Sequence, residues 1–240
     1  TYSHTNSASI GYDNCSFTIN VSINKLLYIV NNLFGRNITS FNDNNIKCWE
    51  GFINEINLNV GGLTYNIGPL LDIANKVVAR YTEYTTGVPG ITTYANDVSS
   101  QNRYGVITKV LSIGNVSAIN AEKIRDEYLY ENSQPFANIS GNISELVGGY
   151  NITINCLGHY HLLSTVVYNN TGSGTTTVTD KIKSVLAADP NTAINIVAGN
   201  FYSNSLLVSV NDNKDRIATD VIKELVNLGG STTNTRTVFV

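Results

Sequence analysis

"NCSFTINVSIN", residues 14–24, alternates apolar and polar side chains without a break. Cys15, Phe17, Ile19, Val21 and Ile23 share one side of an extended chain, and Ser16, Thr18, Asn20 and Ser22 share the other. This is the period of a strand with one face on a core. The pattern returns at Tyr150, where Ile152, Ile154, Cys156, Tyr160 and Leu162 oppose Asn151, Thr153, Asn155, His159 and His161, with Gly158 placed to bend or bulge the strand. Between them, "INLNVGGLTYNI" (56–67) sets Ile56, Leu58 and Val60 against Leu63, Tyr65 and Ile67 across Gly61-Gly62. Two glycines supply the positive φ angles of a two-residue hairpin turn.

Helical spacing follows the first strand at Leu26, Leu27, Val30, Leu33 and Phe34, up to the stop at Gly35. Leu70, Ala74, Val77, Val78 and Tyr81 predict a second helix from Pro69 to about Tyr84, before a polar loop of about 17 residues. "YGVITKVLSI" reads as a strand and "NAEKIRDEYLY" as a helix begun at Asn120. Residues 132–149 are rich in Asn, Ser and Gly and read as a linker. Beyond Tyr150 the pattern predicts a helix at 179–189, strands at 193–198 and 205–211, a helix at about 213–228 and a last strand, "TRTVFV".

The expected class is α+β, with mixed or antiparallel sheets and helices on one face. An extended arm (1–13), a module at 14–131, the linker at 132–149 and a module at 150–240 describe the chain, with a βαββαβ, ferredoxin-like order in each module. A single α+β domain over 14–240 is the alternative.

Charged residues make up 14% of the 240 residues and the formal net charge is −3, against roughly a quarter charged in an ordinary soluble domain. Neutral polar groups replace them: 34 Asn, 20 Ser and 24 Thr. Such a surface stays wet without relying on ionised carboxylates, as suits varying pH or salt, or packing against like surfaces. The 15 Lys and Arg are scattered singly, which excludes the electrostatic footprint of a nucleic-acid binder. The longest apolar run, "LLYIV" at 26–30, is far short of the roughly 18 residues of a membrane span. Met and the dipeptide Asn-Gly are both absent, as fits long life outside a cell. A chain without Met is expected to have lost an N-terminal signal.

Eight Asn-x-Ser/Thr triplets begin at Asn14, Asn20, Asn37, Asn115, Asn138, Asn142, Asn151 and Asn169. Chance gives about six at this composition, so position carries more weight than number. All but Asn115 fall on expected outward faces or in loops, where a sugar leaves the core undisturbed. Cys15, Cys48 and Cys156 are read as inward. The favoured arrangement is a Cys15–Cys48 disulfide and one buried thiol, with Cys156 open as a partner and three free thiols as the alternative. His159 and His161 share a strand face and are weak metal candidates, while Cys156 points the other way. No catalytic motif and no cofactor signature is present; Glu50 with Glu55, or Asp126 with Glu127, are the carboxylate pairs available for acid–base work.

These features predict a structural subunit of an extracellular assembly, such as a surface filament, surface layer or virus-like coat, glycosylated and bound to copies of itself. Ala8, Ile10 and Tyr12 of the arm are the expected contact, by strand addition to a neighbour. A secreted carbohydrate-binding or adhesive domain is the second reading and a secreted hydrolase the third.

Overall fold

The computed structural model describes residues 1–7, 11–60, 62–141, 150–170, 172–191, 204–210 and 215–228. The chain forms two compact units, residues 1–5 with 14–158 and residues 6–13 with 159–240. The α+β class is as expected, with sheets that, among the described residues, are antiparallel except at one pair. No helix among the described residues is long and apolar enough to cross a membrane.

The first unit is built on a long sheet. Its strands are β1 (Tyr2–Ser7), β2 (Gly11–Val21), β3 (Asn37–Phe41), β4 (Lys47–Val60), β5 (Leu63–Ile67), β10 (Ala137–Gly141) and β11 (Tyr150–Leu157). They are ordered β1-β2-β11-β4-β5-β10, with β3 also on β4. β4 gives one flank to β11 and the other to β3 at its start and β5 at its end. The expected hairpin is there: Val60 pairs with Leu63, and Gly62 sits at φ +86°. Where Asn155 opposes Glu55 and Cys156 opposes Ile53, β4 carries Asn54 as an extra residue, and this bulge re-aims the strand. Beyond it, a Cβ on Gly51 would stand 2.1 Å from the Leu157 carbonyl oxygen, so only glycine lets the two backbones meet.

The alternating residues make the core. Phe52, Ile53, Ile56, Ile152, Ile154, Cys15 and Cys156 are all buried on β2, β4 and β11, joined by Leu26 and Ile29 of helix α1 (Ile23–Asn32).

A second sheet centres on β6 (Lys76–Glu83). It pairs antiparallel with β7 (Pro89–Ile91) and β8 (Ala95–Asn96) and parallel with β9 (Thr108–Val116). The helix expected from Pro69 to Tyr84 is therefore corrected: Leu70–Asp72 make one 3₁₀ turn and the rest is strand. Val77, Val78 and Ala79 are all 0% exposed, and a strand buried on both sides gives an unbroken apolar run that periodicity cannot tell from a helix. The expected loop holds β7, β8 and helix α2 (Val98–Tyr104). Asp97 caps α2, accepting from the Ser100 N–H at 3.0 Å; that bond holds its carboxyl below the usual range. Helix α3 (Ala118–Asn132) is capped by Ser117, three residues before the expected Asn120.

Residues 137–141, read as linker, are the edge strand β10. The start of the expected second module, β11, lies inside the first sheet, so the boundary falls after Gly158. The arm is corrected too: Thr18 N–H donates to the Thr1 carbonyl, and Asn14 N–H to the Thr5 hydroxyl, so 2–7 pair along β2.

The described residues of the second unit form short strands and two amphipathic helices. Tyr160 and Leu162 lie in a 3₁₀ segment, His159–Thr165, where the strand was expected to continue. β12 (Val167–Tyr168) pairs with β15 (Arg216–Ile217), and β13 (Thr175–Thr177) with β14 (Leu207–Ser209). Helices α4 (Val178–Leu186) and α5 (Ala218–Leu228) close a core of Leu163, Val166, Val185, Val221, Ile222 and Leu225. The strands expected at 193–198 and in "TRTVFV" lie outside the described residues.

Candidate interaction surface

The polar face of the long sheet follows from strand alternation plus register. One rung is Ser16, Asn155 and Glu55; the next is Thr18, Thr153, Asn57, Asn66 and Asn138; the third is Asn20, Asn151, Asn59, Thr64 and Ser140. Of these thirteen side chains only Glu55 is ionisable. The rungs are laced laterally. Ser16 Oγ donates to Asn155 Oδ1 at 2.9 Å, and Asn155 Nδ2 to Glu55 Oε2 at 2.9 Å. From the other side, Asn66 Nδ2 donates to Glu55 Oε1 and to Asn57 Oδ1. Thr18 and Thr153 share a hydroxyl bond at 3.0 Å, and Thr64 donates to Asn59 at 2.7 Å. A single carboxylate fixed between two amides thus ties four strands together, as side-chain networks do when every member is satisfied. At the bulge end of this face a hollow of about 300 Å³ is lined by Ser3, Thr5, Asn14, Ser16, Glu55 and Asn155, among others.

Of the triplet asparagines, Asn14, Asn20, Asn37, Asn115, Asn138, Asn151 and Asn169 are exposed, and Asn142 lies outside the described residues. Four of them stand on the polar face, Asn20 directly opposite Asn151. The arm residues Ala8 and Ile10 also lie outside the described residues; Tyr12 is half-buried in β2.

Cys15, Cys48 and Cys156 are free thiols. Register sets Cys15 opposite Cys156, while the Cys48 thiol turns to the carbonyl of Ile46 at 3.4 Å, so the cross-strand partner of Cys15 is not the expected Cys48. His161 Nε2 meets Asp13 Oδ1 at 2.9 Å, and His159 and His161 stand in the 3₁₀ segment, not on a strand face. Among the described residues no group of three or more His, Cys, Asp or Glu is arranged to hold a metal ion. The four candidate carboxylates are dispersed: Glu50 pairs with Lys47, Glu55 belongs to the polar ladder, Asp126 pairs with Arg125, and Glu127 is exposed on α3.

Sequence reasoning missed the sheet edges. β10 pairs with β5 on one flank, and among the described residues no strand pairs with its other flank. Around it "PFANISG" (135–141) carries no charge, and Phe136 and Ile139 are 71% and 66% exposed. β1 forms the opposite edge, and "YSHTNS" carries no Lys, Arg, Asp or Glu. Soluble proteins commonly guard such edges with Lys, Pro or a covering element. The signal available in the sequence is this lack of charge, which sits in a stretch whose Asn, Ser and Gly content reads as a linker. Compared with known protein-family models, curated proteins and solved structures, the chain matches none.

Proposed function

We propose that the chain is a structural subunit of an extracellular assembly, in which the β1 edge of one copy adds to the β10 edge of the next. The observation that carries this reading is the uncharged outer flank of β10 with Ile139 and Phe136 beside it. The paired strands of the sheet alternate in direction from β1 to β10, so a second copy in the same orientation meets β10 antiparallel and extends the pattern. Each addition leaves a fresh edge, which makes the contact head-to-tail and the product an open polymer.

The magnitudes favour polymers that form when the protein is concentrated. Five residues of new ladder contribute about 1 kcal/mol net per hydrogen bond, and covering Ile139 and Phe136 adds roughly 2–4 kcal/mol. Association costs at least about 4 kcal/mol in lost freedom. The neutral, ladder-bonded polar face suits a surface that faces changing salt, and its exposed triplet asparagines offer sites for sugars away from the core.

Light scattering on fractionated protein over a concentration series, with electron microscopy of the concentrated sample, tests the reading. The mass is expected to climb past dimer, and Ile139→Lys is expected to remain monomeric with an unchanged circular-dichroism spectrum. A wild-type protein that stays monomeric, or a variant that polymerises equally, overturns it. The second reading, a carbohydrate-binding domain, draws on the hollow beside Glu55, which presents hydroxyls, amides and one carboxylate; binding to a glycan panel that Glu55→Gln abolishes would favour it.

A further inference from the structure

The structure assigns Cys15 and Cys156 as the two halves of a cross-strand disulfide, closed by thiol–disulfide exchange, with Cys48 left as the free thiol. The residues stand 141 apart in sequence, yet the β2–β11 register sets them directly opposite. Both are buried, 4% and 2% exposed, on the apolar side of the sheet.

Strand geometry fixes the kind of pair they make. Thr18 N–H donates to the Thr1 carbonyl at 2.9 Å, so even-numbered residues of β2 turn their backbone groups toward β1 and odd-numbered ones toward β11. Cys15 therefore belongs to a hydrogen-bonded pair, whose α-carbons lie about 5.5 Å apart. That is inside the roughly 4.4–6.8 Å α-carbon window that a disulfide spans, and the β-carbons, set about 5.5 Å apart in such a pair, draw together by about 1 Å as the bond closes. Their side chains leave the sheet on the same side. Cys48 is engaged with the Ile46 carbonyl of its own chain turn.

The bond is expected to close as the strands come together, and not on the finished fold. Burial pushes the Cys156 thiol up to about 12 and raises Cys15 as well, and the thiolate is the species that attacks. With glutathione disulfide as oxidant, the Cys15 thiolate attacks one of its sulfurs, giving a mixed disulfide and one glutathione thiolate. The Cys156 thiolate then attacks the Cys15 sulfur and expels the second glutathione. Two electrons pass from the protein thiols to the carrier, and the two protons end on the two released glutathiones. The pairing does not depend on whether the chain polymerises.

The test is to unfold the reduced protein, refold it in a reduced and oxidised glutathione buffer, block free thiols in denaturant, count them, and map the peptides without reductant. One free thiol, at Cys48, and a linked pair of peptides carrying Cys15 and Cys156 are expected. Cys48→Ser refolded the same way should keep no free thiol. Three free thiols in the refolded wild type, or a linked peptide containing Cys48, overturns the assignment.

Discussion

The two faces of the long sheet are made from alternate residues of the same strands, and they cohere by different means. On one face Ile152, Ile154, Ile56 and Ile53 are excluded from water almost entirely. On the other, Thr153, Asn155, Asn57 and Glu55 remain half-buried and are tied to one another by side-chain hydrogen bonds. The apolar face derives its free energy from area removed from water, about 25 cal/mol per Å². The polar face exchanges bonds with water for bonds within the ladder, a net gain of about 1 kcal/mol each. Position in the alternation, which the Asn54 bulge shifts by one residue on β4, decides which regime a residue enters.

The sharpest way to break this comparison is to truncate neighbours on one strand. Ile154→Ala is expected to cost about 4 kcal/mol, because it removes buried methyl groups and leaves a cavity where the sheet has little freedom to collapse. Denaturant melts of the isolated protein read it directly, and a loss below about 1 kcal/mol would mean the apolar face is not the core. A polar side chain taken to full burial should fall between the two faces. Asn75 is 0% exposed; its Nδ2 donates to the Gly105 carbonyl at 2.7 Å and the Ser100 hydroxyl at 3.2 Å, and its Oδ1 accepts from the Ile107 N–H at 2.8 Å. Asn75→Ala strands these partners without water, for an expected loss of about 3 kcal/mol. The same melts check it.

Asp97 gives a smaller effect with a definite pH dependence. Its folded carboxyl is held below its ordinary value, chiefly by the Ser100 N–H. Its contribution is therefore complete above the unfolded pKa of about 4 and is lost as pH falls through the lower folded value. Asp97→Ala should cost about 1 kcal/mol at neutral pH, as loss of a helix cap does, and the gap to wild type should close in acid. A gap that widens in acid would contradict the assignment. Smallest of all, Thr153→Ala should lose under about 1 kcal/mol, since its half-buried partner Thr18 regains water. A loss as large as that at Ile154 would erase the distinction between the faces.

Strong alternation made β2, β11 as far as Leu157 and the β4–β5 hairpin legible in the sequence, because a period of two fits a strand with one face on a core; past Gly158 the same alternation runs into a 3₁₀ segment. β6 was not legible: Val77, Val78 and Ala79 are buried together, and that removes the alternation itself. β10 escaped notice for a different reason. It has five residues and, among the described residues, one partner strand, β5, and the pairing of Ile139 with Tyr65 is set by tertiary contact across 74 positions, with no local signature. The meeting of Cys15 with Cys156 is likewise a property of register between distant strands, whereas the exposure of Asn14, Asn20 and Asn151 could be read from their places on the alternation.

The edge of β10 is where the account is most exposed to refutation, and hydrogen exchange of its amides measures that edge directly. At low concentration the outward-facing amides of residues 137–141 should exchange quickly, and in concentrated, assembled protein they should become protected together with those of β1, while Ile139→Lys stays fast at both concentrations. Exchange at β10 and β1 that is the same in dilute monomer and in assembled protein would show that copies do not join by extending this sheet.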